Sequence, residues 1–314
     1  MDARTWLITG VSSGFGREMT ERLLRRGDRV AGTVRRMEVM DDLRAEYGDR
    51  LWLARLDLTD GPAIRAVVDR AFADLGRIDV VVNNAGYGLF GAAEELTDEQ
   101  IVHQIDTNLL GSIRVVRAAL PHLRRQGGGR LIQLSTYGGQ ATNAGASAYH
   151  ASKWGIEGFM ESTAKDVAPF GIGVTIVEPG SARTRFRDGS SRLATPLSAY
   201  DDSPAALTRG IRNPALPSVG DVEKMAAAIV GCADLDPAPV RVALGSDSYS
   251  HIHKALTERI ADLEAGRDLA FSTDTDTDTD ADADADTGAH TGAHTDTGAH
   301  TGAHTDAGAE AARR

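Results

Sequence analysis

The 314-residue chain carries a formal charge of −11, but Thr273–Arg314 alone contributes −8, so the rest of the protein is only mildly acidic. It has no basic stripe, which excludes the electrostatic footprint of a nucleic-acid binder and gives no support to an anionic membrane surface as a partner. A single cysteine, Cys232, excludes an intrachain disulfide framework, and no run reaches the ~18 apolar residues of a membrane helix. The opening MDARTWLITG has no basic region followed by an apolar one, so the expected location is the cytoplasm.

Short apolar runs alternate with longer stretches of helical period, the pattern of an α/β fold with a doubly wound parallel sheet. Strands are expected at 5–9, 29–34, 51–56, 79–82, 130–134, 173–177 and 240–244, each apolar enough to be buried on both faces. Helices are expected at 14–26, 62–75, 98–125, 148–168 and 222–233. One Rossmann domain over residues 1–271 accommodates all of them. Residues 184–220, rich in Ser, Pro, Gly and Arg, read as a lid after a sheet strand. From 272 the chain becomes a low-complexity tail of Asp-rich and TGAH repeats, with no apolar side chain larger than Ala beyond Thr273. Such a tail cannot offset its ordering entropy and is expected to be disordered. Its His290, His294, His300 and His304 could chelate a metal, but no metal site is expected for the protein.

The first strand runs directly into Gly10-Val11-Ser12-Ser13-Gly14-Phe15-Gly16 and then into a helix. Glycines let the backbone turn and approach a pyrophosphate, whose charge the free N–H groups and dipole of the helix start attract. Asp57, after the third strand, is either a helix cap or an acceptor for an adenine amino group. Asn84-Ala85-Gly86, after the fourth, is either a plain turn or the floor beneath a ribose. Both stand where parallel strands open their carboxyl ends to ligands.

Tyr149 and Lys153 lie four apart in a helical segment and so share a face. Bringing a tyrosine from a pKa of about 10 to about 7 takes about 4 kcal/mol. An ammonium ~4 Å away supplies a similar amount at an effective dielectric near 20. Ser135-Thr136 ends the fifth strand, and counting back 13 from Tyr149 lands on Thr136, whose hydroxyl can donate to a developing oxyanion. Ser135 points to the other face unless a bulge at Gly138-Gly139 shifts the register.

The ordered set TG-x3-G-x-G, NNAG, Asn108, Thr136, Tyr149-x3-Lys153 and Pro179-Gly180 resembles the short-chain dehydrogenase/reductase family over residues 4–250. VSSGFG, NNAGYGLFG and EPG are most similar to its retinol- and hydroxysteroid-dehydrogenase-like branch. The resemblance implies an oxidoreductase interconverting an alcohol and a ketone or aldehyde, with Tyr149 as acid/base. Lys153 is then expected to hold the nicotinamide ribose and depress the Tyr149 pKa, and Asn108 to complete a water relay. Pro179, Gly180 and Thr184 would border the nicotinamide, with Asp57 and Leu58 beside the adenine.

At the end of the second strand the chain has Val34-Arg35-Arg36 where an acidic residue would repel a 2′-phosphate. Paired guanidinium donors grip phosphate, so NADP(H) is expected over NAD(H), with Arg35 as main contact and Arg36 beside it, unless both are solvated loop residues. Leu89, Phe90, Tyr137 and the apolar members of the 184–220 segment hint at a lipophilic small-molecule substrate. His103, His150 and His251 are expected to face solvent or core, and the resemblance suggests a homodimer or homotetramer. The alternative function is a catalytically inactive dinucleotide sensor of the same fold. Deleting Thr273–Arg314 is expected to leave activity and melting temperature nearly unchanged, because nothing in it can dock. A drop of many degrees in a thermal melt would contradict that.

Overall fold

A computed structural model describes residues 3–184, 186–213, 215 and 218–274. The expected tail, with its four histidines, lies outside the described residues from 275 onward. Residues up to Glu264 form one compact unit, and those from Ala265 group separately.

Nine strands are present among the described residues: β1 (Thr5–Thr9), β2 (Arg29–Val34), β3 (Leu51–Arg55), β4 (Val80–Asn83), β5 (Gly88–Phe90), β6 (Gly129–Leu134), β7 (Ile172–Pro179), β8 (Ser191–Leu193) and β9 (Arg241–Leu244). Seven make one parallel sheet of order β3-β2-β1-β4-β6-β7-β9. All seven expected strands fall within two residues of their expected limits. Because β1 pairs with β2 on one side and β4 on the other, the chain reverses its direction of winding there, leaving a crevice at the carboxyl ends.

Helices α1 (Gly14–Arg26) and α8 (Val222–Gly231) cover one face of the sheet, over Trp6, Ile8, Val30 and Val177. The other face carries α3 (Gly61–Leu75), α5 (Gly111–Arg125) and α6 (Ser147–Val167), packed on Leu7, Val81, Leu131 and Ile176. Neighbouring strand residues therefore feed opposite layers, the alternation expected of a sheet buried on both sides. Local chemistry starts the helices. Asp60 accepts from Ala63 N–H at 2.9 Å ahead of α3, and Asp221 accepts from Lys224 N–H at 3.0 Å ahead of α8.

The helix expected over 98–125 is divided. Thr97 and Gln100 form a capping box for α4 (Asp98–Ile105), a π-helical turn occupies Asp106–Leu110, and α5 follows. Two causes are visible. Asn108 accepts from Tyr87 N–H at 3.0 Å and donates to its carbonyl at 2.7 Å, while Gly111 packs so closely on Leu58 that a Cβ would lie 2.8 Å from the Leu58 Cβ. Shorter helices not expected from the sequence are α2 (Asp41–Tyr47) and the four-residue α7 (Phe186–Gly189). Past β9, α9 (Ser246–Ala265) and α10 (Arg267–Phe271) were likewise not expected.

The expected lid has structure of its own. Its strand β8 pairs in parallel with β5, Gly88 opposite Ser191 and Phe90 opposite Leu193, and 3-10 turns follow at Ser198–Tyr200 and Pro204–Gly210. Glu95, buried beside β5, is the anchor. Its carboxylate accepts from Leu197 N–H at 2.9 Å, Arg209 Nη2 at 2.8 Å and Ala92 N–H at 2.7 Å. The Leu197 N–H and the Arg209 guanidinium hold that carboxyl below the usual carboxylate range. Glu95→Ala should free residues 194–213 from the body, making them a site of limited proteolysis in a protein whose sheet remains intact. Cleavage no faster than in the wild type would contradict the anchoring role.

Candidate active site

A cavity of about 480 Å³ opens at the carboxyl ends of the parallel strands. One end is lined by Gly10, Ser12, Ser13, Gly14 and Phe15, continuing along Val34, Arg35, Asp57, Leu58 and the Asn84-Ala85-Gly86 turn. Away from that turn the lining includes Thr136, Tyr149, Lys153, Pro179 and Gly180, while Thr184 packs beside Gly14.

The glycine turn fits a dinucleotide pyrophosphate. Gly10 has φ +73°, and a Cβ on Gly16 would overlap the Gly10 carbonyl oxygen and Asn84 Nδ2, so the turn and the first turn of α1 must pack without side chains. Asn84 Nδ2 donates to the carbonyls of Thr9 at 2.9 Å and Gly10 at 3.0 Å, fixing the β4 turn against the β1 turn. Ser13, at the N-cap of α1, makes no side-chain capping bond, and the first turn holds no acidic residue. Its N–H groups are therefore available to an anion. Arg35 lines the cavity from the end of β2, whereas Arg36 is exposed outside it and Gly16 lies behind the turn. Thr59 N–H donates to Asp57 at 3.0 Å, and this bond, with the nearby Arg35 charge, holds the Asp57 carboxyl below its usual range.

At the opposite end α6 starts beside the cavity and carries Tyr149 and Lys153 on one face. Lys153 is buried and donates from Nζ to the Leu134 carbonyl at 2.9 Å, tying α6 to the end of β6. Burial pushes the Lys153 ammonium down to about 8, and the Glu157 carboxylate opposes that shift. The Thr136 hydroxyl bonds that of Tyr149 and lies 3.2 Å from the Pro179 carbonyl, to which it donates. Ser135 also lines the cavity, and its Oγ donates to Glu157 Oε1 at 2.6 Å.

The Tyr149 hydroxyl is pushed upward by burial and by Tyr137, with the Thr136 hydrogen bond opposing the rise. That direction is opposite to the depression expected from Lys153. The physical reason is that the Lys153 ammonium is spent on Leu134 and stands 5.9 Å from the Tyr149 ring centroid, so desolvation dominates. Tyr149 consequently keeps its proton at neutral pH.

Asn108 is buried, donating from Nδ2 to Tyr87 and Ser152 and accepting from Tyr87 at Oδ1, and its side chain does not line the cavity. It braces the π turn and the segment after Gly86. Two histidines expected to face solvent or core line the cavity, His103 beneath the Tyr87 hydroxyl at 2.8 Å and His150 beside Asn143. Burial pushes His150 down to about 4, so it is neutral near pH 7. Phe186 and Ile211, apolar residues of the expected lid, line the cavity together with Arg192 and Thr208, which the sequence did not single out because their approach depends on long-range packing. Phe90 and Phe186 flank the Tyr149 ring at centroid distances of 5.7 and 5.9 Å. Among the described residues no cluster suited to a metal ion occurs, and no helix is long and apolar enough to cross a membrane.

The short chain dehydrogenase family profile matches residues 4–192. An oxidoreductase of Botryotinia fuckeliana, BOA17, is 33% identical over 271 residues, covering 86% of this chain and 99% of that one. The crystal structure of a short-chain dehydrogenase from Streptomyces avermitilis superposes with a TM-score of 0.81 at 41% identity, over 87% of this chain and all of that one. A metagenomic short-chain oxidoreductase solved in complex with NADP is similar at 26% identity and a TM-score of 0.61, covering 77% of this chain and 96% of that one. A Rossmann sheet with a glycine-turn cavity and this family match define the class: the chain belongs to the short-chain dehydrogenases. It is an oxidoreductase that acts on an alcohol or carbonyl with a nicotinamide cofactor.

Proposed function

We propose that the protein is an NADP(H)-dependent enzyme interconverting a lipophilic alcohol and its ketone or aldehyde, with Tyr149 as the acid/base. The observation that carries this reading is the convergence of Thr136, Tyr149 and Lys153 at one end of a cavity whose other end is the glycine turn. A bound nicotinamide supplies or accepts the hydride. The rest is done by this chain's side chains.

In reduction, Tyr149 presents a protonated hydroxyl to the carbonyl oxygen, the proton being retained at neutral pH because burial raises its pKa. The Thr136 hydroxyl, already bonded to Tyr149, turns to donate to the same oxygen as charge develops. Lys153, protonated below about pH 8, provides the nearby positive charge and can reach the ribose of the cofactor. Phe90, Phe186 and Ile211 wall the substrate end, favouring an apolar group next to the reacting carbon and excluding water. At the other end Arg35, with Val34 where an acidic residue would repel phosphate, favours the 2′-phosphate of NADP(H). Whether Arg36 joins it is decided on phosphate binding, since its side chain lies outside the cavity.

Tyr149→Phe and Thr136→Ala should each lower turnover by about 10² or more, the scale of general acid–base and oxyanion-donor effects, while Thr136→Ser stays active. Cofactor binding, followed by NADPH fluorescence, should survive in all three. A Tyr149→Phe variant with near wild-type turnover would overturn the mechanism, and a wild type inert toward every ketone, aldehyde and alcohol tried would favour the sensor.

The wild type should use NADPH with higher catalytic efficiency than NADH. Arg35→Ala should cost about 10-fold or more with NADPH and little with NADH, as expected for the loss of a charged hydrogen bond. Equal efficiencies in the wild type would contradict the assignment.

A further inference from the structure

Directly behind the catalytic hydroxyls, on the α6 side of the sheet, lies a buried acidic cluster that the proposed chemistry does not use. Strand alternation puts it there. β7 pairs with β9 so that Ile176 faces Arg241 and Glu178 faces Ala243, which places Glu178 and Arg241 on the same face as Ile176, under α6. From α6, Glu157 enters one turn after Lys153. From the end of β6, Ser135 enters immediately before Thr136.

The contacts are dense. Glu157 accepts from Ser135 Oγ at 2.6 Å and from Arg241 Nε at 3.1 Å. Glu178 accepts from Gln140 Nε2 and lies 3.6 Å from Arg241 Nε, and its carboxyl is within hydrogen-bonding reach of that of Glu157. Arg241 also serves Glu161, at 2.8 Å on the solvent side. Gly139 must lack a side chain because a Cβ there would overlap the Glu157 carboxylate. Among the described residues one guanidinium meets these three carboxyls, two of them with side chains 2–3% exposed. Two ionised carboxylates in contact at such a site repel each other, and one proton between them turns the repulsion into a hydrogen bond.

We infer that Glu157 and Glu178 hold a single proton between them and, clamped by Arg241, act as the positioning pair that sets Thr136 and Lys153 for the reaction. The inference rests on the function proposed above. Each member stands next to a residue of the site: Ser135 before Thr136, Glu157 one turn from Lys153, and Glu178 before Pro179. Glu157 accepts from Ser135 and Arg241 as a carboxylate, and its charge supports the Lys153 ammonium. Glu178 carries the proton, because burial and the Glu157 charge push it up to about 7. The other groups acting on Glu178 are Gln140, which donates to it, and Arg241, whose charge opposes the rise. From α9, Ser248 donates to the Glu178 carbonyl at 2.7 Å, Asp247 bonds Ser181, and Arg259 donates to the Gln140 carbonyl at 2.7 Å. Losing the shared proton puts a second negative charge behind Ser135 and forces the two carboxyls apart, moving Thr136.

The test begins on protein without cofactor or substrate, by carboxyl-carbon NMR of a sample labelled with ¹³C-glutamate. One glutamate should titrate near pH 7, well above the ordinary value of about 4.3, and its signal should vanish in Glu178→Gln. In Glu157→Gln the midpoint should move down. If every glutamate titrates in the ordinary range, the shared proton is wrong, whatever the protein catalyses and whether or not the variants fold. The second measurement is the pH profile of turnover. Glu178→Gln, a permanently neutral mimic, should keep wild-type turnover at pH 6 and move the loss of activity at rising pH from about 7 to about 8, where Lys153 loses its charge. Glu157→Gln should lose turnover at both pH values. A folded Glu178→Gln that is inactive throughout, or whose profile overlays the wild type, overturns the positioning role. A wild type with the titration near 7 but no turnover of any carbonyl would instead sink the proposed function.

Discussion

The structure depends on how one buried ammonium is satisfied. An isolated lysine charge removed from water carries a penalty of several kcal/mol, and it persists in the folded chain only where hydrogen bonds and opposite charge compensate it. Lys153 meets that condition with the Leu134 carbonyl, 2.9 Å away at the end of β6, and with the Glu157 carboxylate one turn further along α6. Because this bond and the one from Ser135 to Glu157 join the helix to the strand end on successive turns, the rotation of α6 is set. Tyr149, one turn earlier, is carried to the cavity wall as a consequence.

The sheet contributes the second constraint. Ser135 and Thr136 follow the end of β6 and both line the cavity, but their hydroxyls are engaged differently. Ser135 is committed to Glu157, and Thr136 to Tyr149. Strand alternation sends Glu178 behind the site and its neighbour Pro179 to the front. Above this frame the lid is held by pairing of β8 with β5 and by Glu95, so the aromatic residues that flank Tyr149 come from two separate segments, Phe90 and Phe186.

Much of this could be read from the chain because it is periodic or local. Parallel strands buried on both faces are apolar throughout, and the glycine turn, the Tyr149–Lys153 pair and the Thr136 spacing lie within single segments. What escaped is what depends on residues far apart. The division of 98–125 follows from Asn108 reaching Tyr87, and neither residue announces the other. Glu95 meets Leu197 and Arg209 across more than a hundred residues, so the lid reads as irregular. In helix α9 the apolar residues Tyr249, Ile252, Leu256, Ile260 and Leu263 recur at helical spacing, so this helix was legible in the sequence although it is not among those expected. The Tyr149 shift has the opposite sign to the expectation because a lysine four residues away is visible in the sequence, whereas desolvation depends on the walls that three other segments supply.

The central claim is that the cavity aligns a nicotinamide at the glycine-turn end with a carbonyl carbon held beside Tyr149 and Thr136. Reduction with NADPH deuterated on the transferring face of the nicotinamide ring tests it most directly, with the alcohol product analysed by mass spectrometry and NMR. The account predicts one deuterium, bound to the carbinol carbon, with the hydroxyl proton taken from the protein and exchangeable with solvent. An alcohol formed with solvent hydrogen at that carbon would contradict direct transfer in this cavity.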